Sequence, residues 1–242
     1  MRARRLLAAL IALAVGLSLA GCADESVTEP TPRPVTGEEA QLLAITRFTN
    51  FDRGSRPFHT EITVTGVASA LQGWVDYGSQ LGYAAVTGAF GAEALLWTGS
   101  SVGAIARDPD AGGNPVLPIP DTSDPGWQIQ HLDPAVSPLF ALLAAIGALG
   151  QDRPDNPLLL QQAGAMWLRT DEVDDAAVTV FAAPPDDEPL EPTTAPADSP
   201  LRLWVDADGL LRRAELHLNN TWNTVDFPDV AAPRLELPTA SD

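Results

Sequence analysis

The sequence predicts an α+β domain in which a curved antiparallel β-sheet accompanies a small number of helices. Three observations carry that expectation. Apolar residues recur every second position over many short segments separated by glycines and polar turns. An amphipathic helical pattern precedes them, and an all-apolar helical segment interrupts them near the middle of the chain. The connections between most strand-like runs are short, which favours antiparallel hairpins.

Composition bounds the chemistry. The 242 residues carry 32 acidic and 14 basic side chains, a formal charge of −18, and every basic residue other than histidine is arginine. Phosphate-backbone affinity comes mainly from Lys and Arg, so a nucleic-acid partner is excluded. One cysteine leaves no disulfide framework and no thiolate-rich zinc site, and the three histidines are widely spaced. No metal and no cofactor is expected. Forty-five per cent apolar residues suits a folded domain.

Arg2, Arg4 and Arg5 precede an apolar run from Leu6 to Ala20, the form of a signal peptide too short for a comfortable membrane span. It ends in Leu19-Ala20-Gly21-Cys22, which resembles the lipobox of bacterial lipoproteins. That resemblance implies cleavage before Cys22 and a diacylglyceryl thioether on its sulfur. Residues 1–21 are then the leader, and their removal leaves 11 arginines against 32 acids, a charge of −21. Two acyl chains suffice for stable anchoring. Residues 22–36, polar and Pro-rich, are expected to be a tether, and residues 37–238 the domain.

Thr36-Gly37-Glu38-Glu39 has the capping-box form, and Leu42, Ile45 and Phe48 follow at helical spacing, predicting a helix over about 38–50. From Phe58 the period becomes two, and further strand patterns cover about 71–77, 81–87, 92–98 and 101–107. Residues 108–134, rich in Pro, Gly and Asp, read as a long loop. Ser137-Pro138 then opens an all-apolar helix over 139–149, and Pro157 with three leucines suggests another helical turn. Strand patterns resume at about 164–171, 176–182, 201–206, 210–218 and 222–227, with Asp206-Ala207-Asp208-Gly209 as a hairpin turn. The proline- and acid-rich insert 184–200 is expected to be a loop.

Candidate chemical sites are weak. Gly99-Ser100-Ser101-Val102-Gly103 fits G-x-S-x-G, but a nucleophile elbow needs a helix after the serine and a strand pattern follows here. A serine hydrolase using Ser101 is therefore the lesser reading, and no catalytic residue is assigned. Asp108-Pro109-Asp110-Ala111-Gly112-Gly113 lacks the twelfth-position acid of a calcium loop, where Ile119 stands. His59 and His217 fall on the polar phase of their strands.

The order of lipobox, tether, helix, β-meander, helical insert and closing meander resembles the LprG/LppX-type lipoproteins of actinobacteria and, more distantly, LolA-type carriers. The strand pairs at 58–88, the strand end Leu95-Leu96-Trp97-Thr98-Gly99, the run Leu201 to Arg213, and Val225-Asp226-Phe227-Pro228-Asp229-Val230 with Pro233 carry it. The resemblance implies a half-barrel wrapped over helices, an apolar cavity for an acylated lipid or lipoglycan, an extracytoplasmic position on the cell membrane, and no enzymatic chemistry. The strand residues taken as inward-facing, Ile62, Val64, Leu95, Trp97, Ile105, Val178, Val180, Leu203 and Leu216, are expected to line the cavity, with Phe140 and Leu143 from the apolar helix. The same pattern also fits a filled core in a lipoprotein that senses, or binds an envelope protein partner. Residue patterns do not separate a greasy cavity from a packed interior.

Overall fold

The polypeptide is described by a computed structural model covering residues 30–64, 66–89, 91–184 and 199–238. Its strands form one antiparallel sheet in two runs. The first is β2 (Ser55–Val64), β3 (Val67–Asp76), β4 (Leu81–Gly88), β5 (Gly91–Trp97), β6 (Ser101–Ala106) and β7 (Gln128–His131). The second is β8 (Met166–Val173), β9 (Ala176–Ala182), β10 (Leu201–Asp206), β11 (Leu211–Leu218) and β12 (Thr221–Asp226). Each run is a meander. They join where β12 pairs with β2 through Val225 opposite Thr60 and Asp226 opposite His59. With β1 (Arg33–Pro34) on β8, the described residues give the order β1-β8-β9-β10-β11-β12-β2-β3-β4-β5-β6-β7, open at both edges.

Helix α1 (Gly37–Arg53) begins as the sequence predicts: Glu39 N–H donates to Thr36 Oγ1 at 3.3 Å, and Thr36 N–H donates to the Glu39 carboxylate at 2.8 Å. In α2 (Pro138–Ala148) Ser137 caps the N-terminus by accepting from Phe140 N–H at 3.2 Å. Helix α3 (Pro157–Gln162) is capped by Asn156, whose Oδ1 accepts from Leu158 N–H at 3.0 Å. The apolar helix α2 packs against β2, β4 and β11 at once. A sheet that meets one helix from strands so far apart in its order has to curve around it, and the α+β class with a curved antiparallel sheet is what the chain adopts.

The main apolar core lies on the side of the sheet that faces α2. Leu142, Leu143 and Ile146 of α2 are fully buried, together with Phe58, Leu71, Val205, Leu211 and Val225 from the sheet. Trp97 reaches into this core because its cross-strand partner is Gly82; a Cβ there would lie 2.0 Å from the indole. Two smaller apolar clusters lie apart from this core. One gathers Leu81, Tyr83, Ala94 and Leu96 with Ile119 and Trp127 from the long loop and Leu235 from the C-terminal segment. The other holds Met166, Leu168, Val173, Val178, Val180, Ala182 and Trp204.

Two expectations change. Residues 33–35, expected to be part of the tether, belong to the domain: Arg33 and Pro34 pair with Trp167 and Met166, and Val35 is buried. The Arg33 guanidinium makes two 2.7 Å hydrogen bonds to Glu39 and lies 4.5 Å from the Trp167 ring, so a Pro-rich sequence is tied to the domain by charge and cation–π contact. The 108–134 segment contains the edge strand β7, whose four residues are all exposed and show no apolar alternation. The leader, Cys22 and insert residues 185–198 lie outside the described residues.

Candidate functional site

The site is assembled where α1, the second half of α2 and the sheet diverge. Polar groups on one face of α1 fasten the end of α2. Arg47 Nε–H donates to Ala148 O at 3.0 Å, and Asn50 Nδ2–H donates to Leu149 O at 2.8 Å. The chain after α2 returns to α1 through Gln151 N–H to Arg47 O at 3.1 Å and Asp155 N–H to Ala44 O at 2.9 Å. The first two bonds satisfy carbonyls that the end of α2 leaves without partners, and all four tie α2 and the chain after it to α1, which packs on β10 and β11.

Between them lies a cleft of about 440 Å³. Leu43 of α1, Ala145 and Leu149 of α2, Leu160 of α3, and Leu201, Leu203, Leu216 and Leu218 of β10 and β11 line it. Thr46 also faces it, but its hydroxyl donates to Leu42 O at 3.1 Å. Among the described lining residues the charged pair is Arg47 with Asp155 at 3.3 Å, at the lip, where His217 stands exposed with its ring 4.9 Å from Trp222. Ala183, Pro184 and Pro200 complete the wall. The volume is within the roughly 300–1,000 Å³ of small-molecule pockets. An apolar floor under a polar lip suits a molecule with a hydrocarbon part and a polar end.

The eleven residues expected to share one cavity divide among several places. Leu203 and Leu216 line the cleft. Trp97 and Leu143 belong to the core and border a separate cavity of about 500 Å³, whose wall also carries Asp76, Gln80, Gln151 and Asp152. Ile62, Leu95 and Phe140 are core residues. Ile105 joins the cluster of Trp127 and Leu235, away from α2. Val178 and Val180 join that of Trp204, opposite in phase to Phe181 and Leu203 of the main core. For these three the inward assignment is corrected: strand alternation marks two faces, and apolar neighbours cover both here. Val64 ends β2, and its side chain, like Cys22, lies outside the described set. Leu43, Ala145, Leu149, Leu160, Leu201 and Leu218 were not singled out from sequence. For Leu43, Ala145 and Leu149 the signal was the breadth of the apolar faces of α1 and α2, and for Leu160, Leu201 and Leu218 it was an apolar residue in a short helix or strand; neither says what each face meets.

Ser101 opens β6 and continues into strand, so the helix that would aim a nucleophile is replaced by a hairpin. Its Oγ lies 3.0 Å from Thr98 Oγ1, which also accepts from the Ser100 and Ser101 N–H groups. The Asp110 loop is an internally bonded turn, with Asp110 Oδ1 accepting from Gly112 N–H at 2.8 Å and Asn114 N–H at 2.9 Å. His59 faces Asp226 at 3.5 Å on the surface.

Compared with protein-family models and with curated proteins, the chain matches none of either. Among solved structures, the lipoprotein LppX of Mycobacterium tuberculosis is similar to it at 15% identity, over 78% of this chain and 93% of that one, with a TM-score of 0.40. The likeness gives no family membership.

Proposed function

We propose that this chain is a cell-envelope lipoprotein, anchored through Cys22 on the extracytoplasmic face of the membrane, that binds an acylated lipid or lipoglycan and carries or presents it. The observation that supports the reading is the cleft beside α2, whose described lining is mainly leucine and alanine with Arg47, Asp155 and His217 at its lip. Each methylene moved from water into such a site contributes about 0.8 kcal/mol. Ten methylenes would supply on the order of 8 kcal/mol before the costs of ordering the ligand. The lip groups Arg47, Asp155 and His217 would meet the polar end, and no step of the reading requires bond chemistry.

Native mass spectrometry of the full chain purified from its own host tests this. Co-purifying acylated ligand, lost in Ala145→Trp, is the expected result; a wild type free of ligand would count against it. A second reading, a lipoprotein that binds a protein partner, is favoured by β7, an edge strand with every residue exposed and Ile129 60% accessible. A ligand-free chain that retains an envelope protein would support that alternative.

A further inference from the structure

Leu158 and Leu159 are 64% and 57% exposed, side by side on α3, while the next residue, Leu160, lines the apolar cleft. The three leucines thus join the cleft mouth to the outer surface. Helix α3, Pro157–Gln162, contains no charged residue, and Asp155 just before it is paired with Arg47 at 3.3 Å. The helix also lies beside the point where the chain enters the domain. Val35 N–H donates to Ala165 O at 3.2 Å, Gln161 Nε2–H donates to Val35 O at 3.3 Å, and Arg33–Pro34 pairs with β8. Ten residues separate Cys22 from Arg33. At about 3.1 Å per residue a Pro-rich segment of that length reaches only about 30 Å.

We infer that α3 is the membrane-docking face of the domain: Leu158 and Leu159 enter the lipid interface and set the cleft mouth against the bilayer. The inference rests on the lipid anchor proposed above. A short chain joining the domain at β1, beside α3, keeps that side near the membrane, and two adjacent exposed leucines are then removed from water by contact with lipid. Entry to the cleft would run along Leu160, so an acyl chain could pass from bilayer to protein without crossing water.

The test uses full-length lipidated chain reconstituted in phosphatidylethanolamine/phosphatidylglycerol vesicles. Gln162→Cys, exposed on α3, and Ser123→Cys, exposed on the long loop, each receive a nitroxide label, Cys22 being acylated. Expected is a label at 162 shielded from a water-soluble nickel relaxant and open to oxygen, with the reverse at 123. Adding Leu158→Glu and Leu159→Glu should return the 162 label to water while the protein still floats with the vesicles. A label at 162 as open to nickel as that at 123 in floating protein overturns the inference and leaves the anchor intact. So does shielding that persists without vesicles, which would assign the patch to a second copy or another protein. Failure to float overturns the anchor reading and this inference together.

Discussion

Phe58 and Trp97 meet edge to face, with ring centroids 6.0 Å apart and planes at 83°. The pair is in the geometry that aromatic rings prefer, and it anchors the main core between β2 and β5. Trp97 is 2% exposed and Phe58 1%. Of the two cavities beside α2, the one bordered by Trp97 also carries Asp76, Gln80, Gln151 and Asp152 on its wall, whereas the cleft at β10 and β11 is lined mainly by leucines.

Tryptophan substitutions on α2 separate core from cleft. Leu143 is fully buried, and enlarging it should cost about 1–3 kcal/mol. Ala145, two residues on, borders the cleft; its replacement by Trp should cost less than Leu143→Trp and should abolish binding of a fluorescent fatty-acyl probe. Urea denaturation and probe titration check the pair. Equal destabilisation by both would contradict the division.

Arg56 is 4% exposed and has no carboxylate within ion-pair distance among the described residues. Its guanidinium donates to Asn50 Oδ1, Leu211 O and Phe227 O at 2.9, 2.9 and 3.0 Å, tying α1, β11 and the end of β12 together. Burial lowers its pKa, so the charge is held at a cost. Arg56→Met would leave three buried acceptors without donors, each worth about 1–3 kcal/mol. The expected loss is more than about 2 kcal/mol, and Arg56→Lys should not restore it, because an ammonium lacks the planar fork. Chemical denaturation of both variants decides.

Glu39 is held at a pKa of about 2, first by the hydrogen bonds from Arg33 and then by those from Thr36. A carboxylate depressed in the folded state contributes stability above its unfolded pKa, and that contribution fades as pH falls toward the folded value. Stability should therefore drop between about pH 4.5 and 2. Glu39→Gln keeps an acceptor for Thr36 N–H but not the charge, so its stability should fall less steeply over that window. A pH series of denaturation midpoints reads the difference.

Cys22→Ala should release the protein from membranes and leave the fold unchanged, since among the described residues pairing with the sheet begins at Arg33. Metabolic labelling with an alkynyl fatty acid and fractionation check it. A variant that still labels and pellets would sink the anchor.

Local signals in the sequence mapped closely onto local structure. Thr36 with Glu39, Ser137 with Pro138, and Asp206 accepting from Asp208 and Leu210 N–H in the 206–209 turn all follow from residues within four positions of one another. What sequence did not supply was which face of a strand is inside. In β9, Val178 and Val180 alternate with Thr179 and Phe181, and the better-looking apolar phase is the one packed with Trp204 rather than on α2. Ile105 was misassigned for the same reason, because Trp127 and Leu235 arrive from distant segments to cover it. The cleft was hidden too, since its walls come from α1, α2, α3, β10 and β11, and each looks like ordinary core alone.

Photolabelling of the full chain with a diazirine fatty acid, followed by peptide mapping, tests the central claim most directly. Crosslinks should fall on Leu43, on Ala145 to Leu149, and on the Leu201–Leu203 and Leu216–Leu218 segments, and should be competed by unlabelled fatty acid. Competable labelling concentrated instead on Leu95, Trp97 and Leu143, or no competable labelling at all, would contradict it.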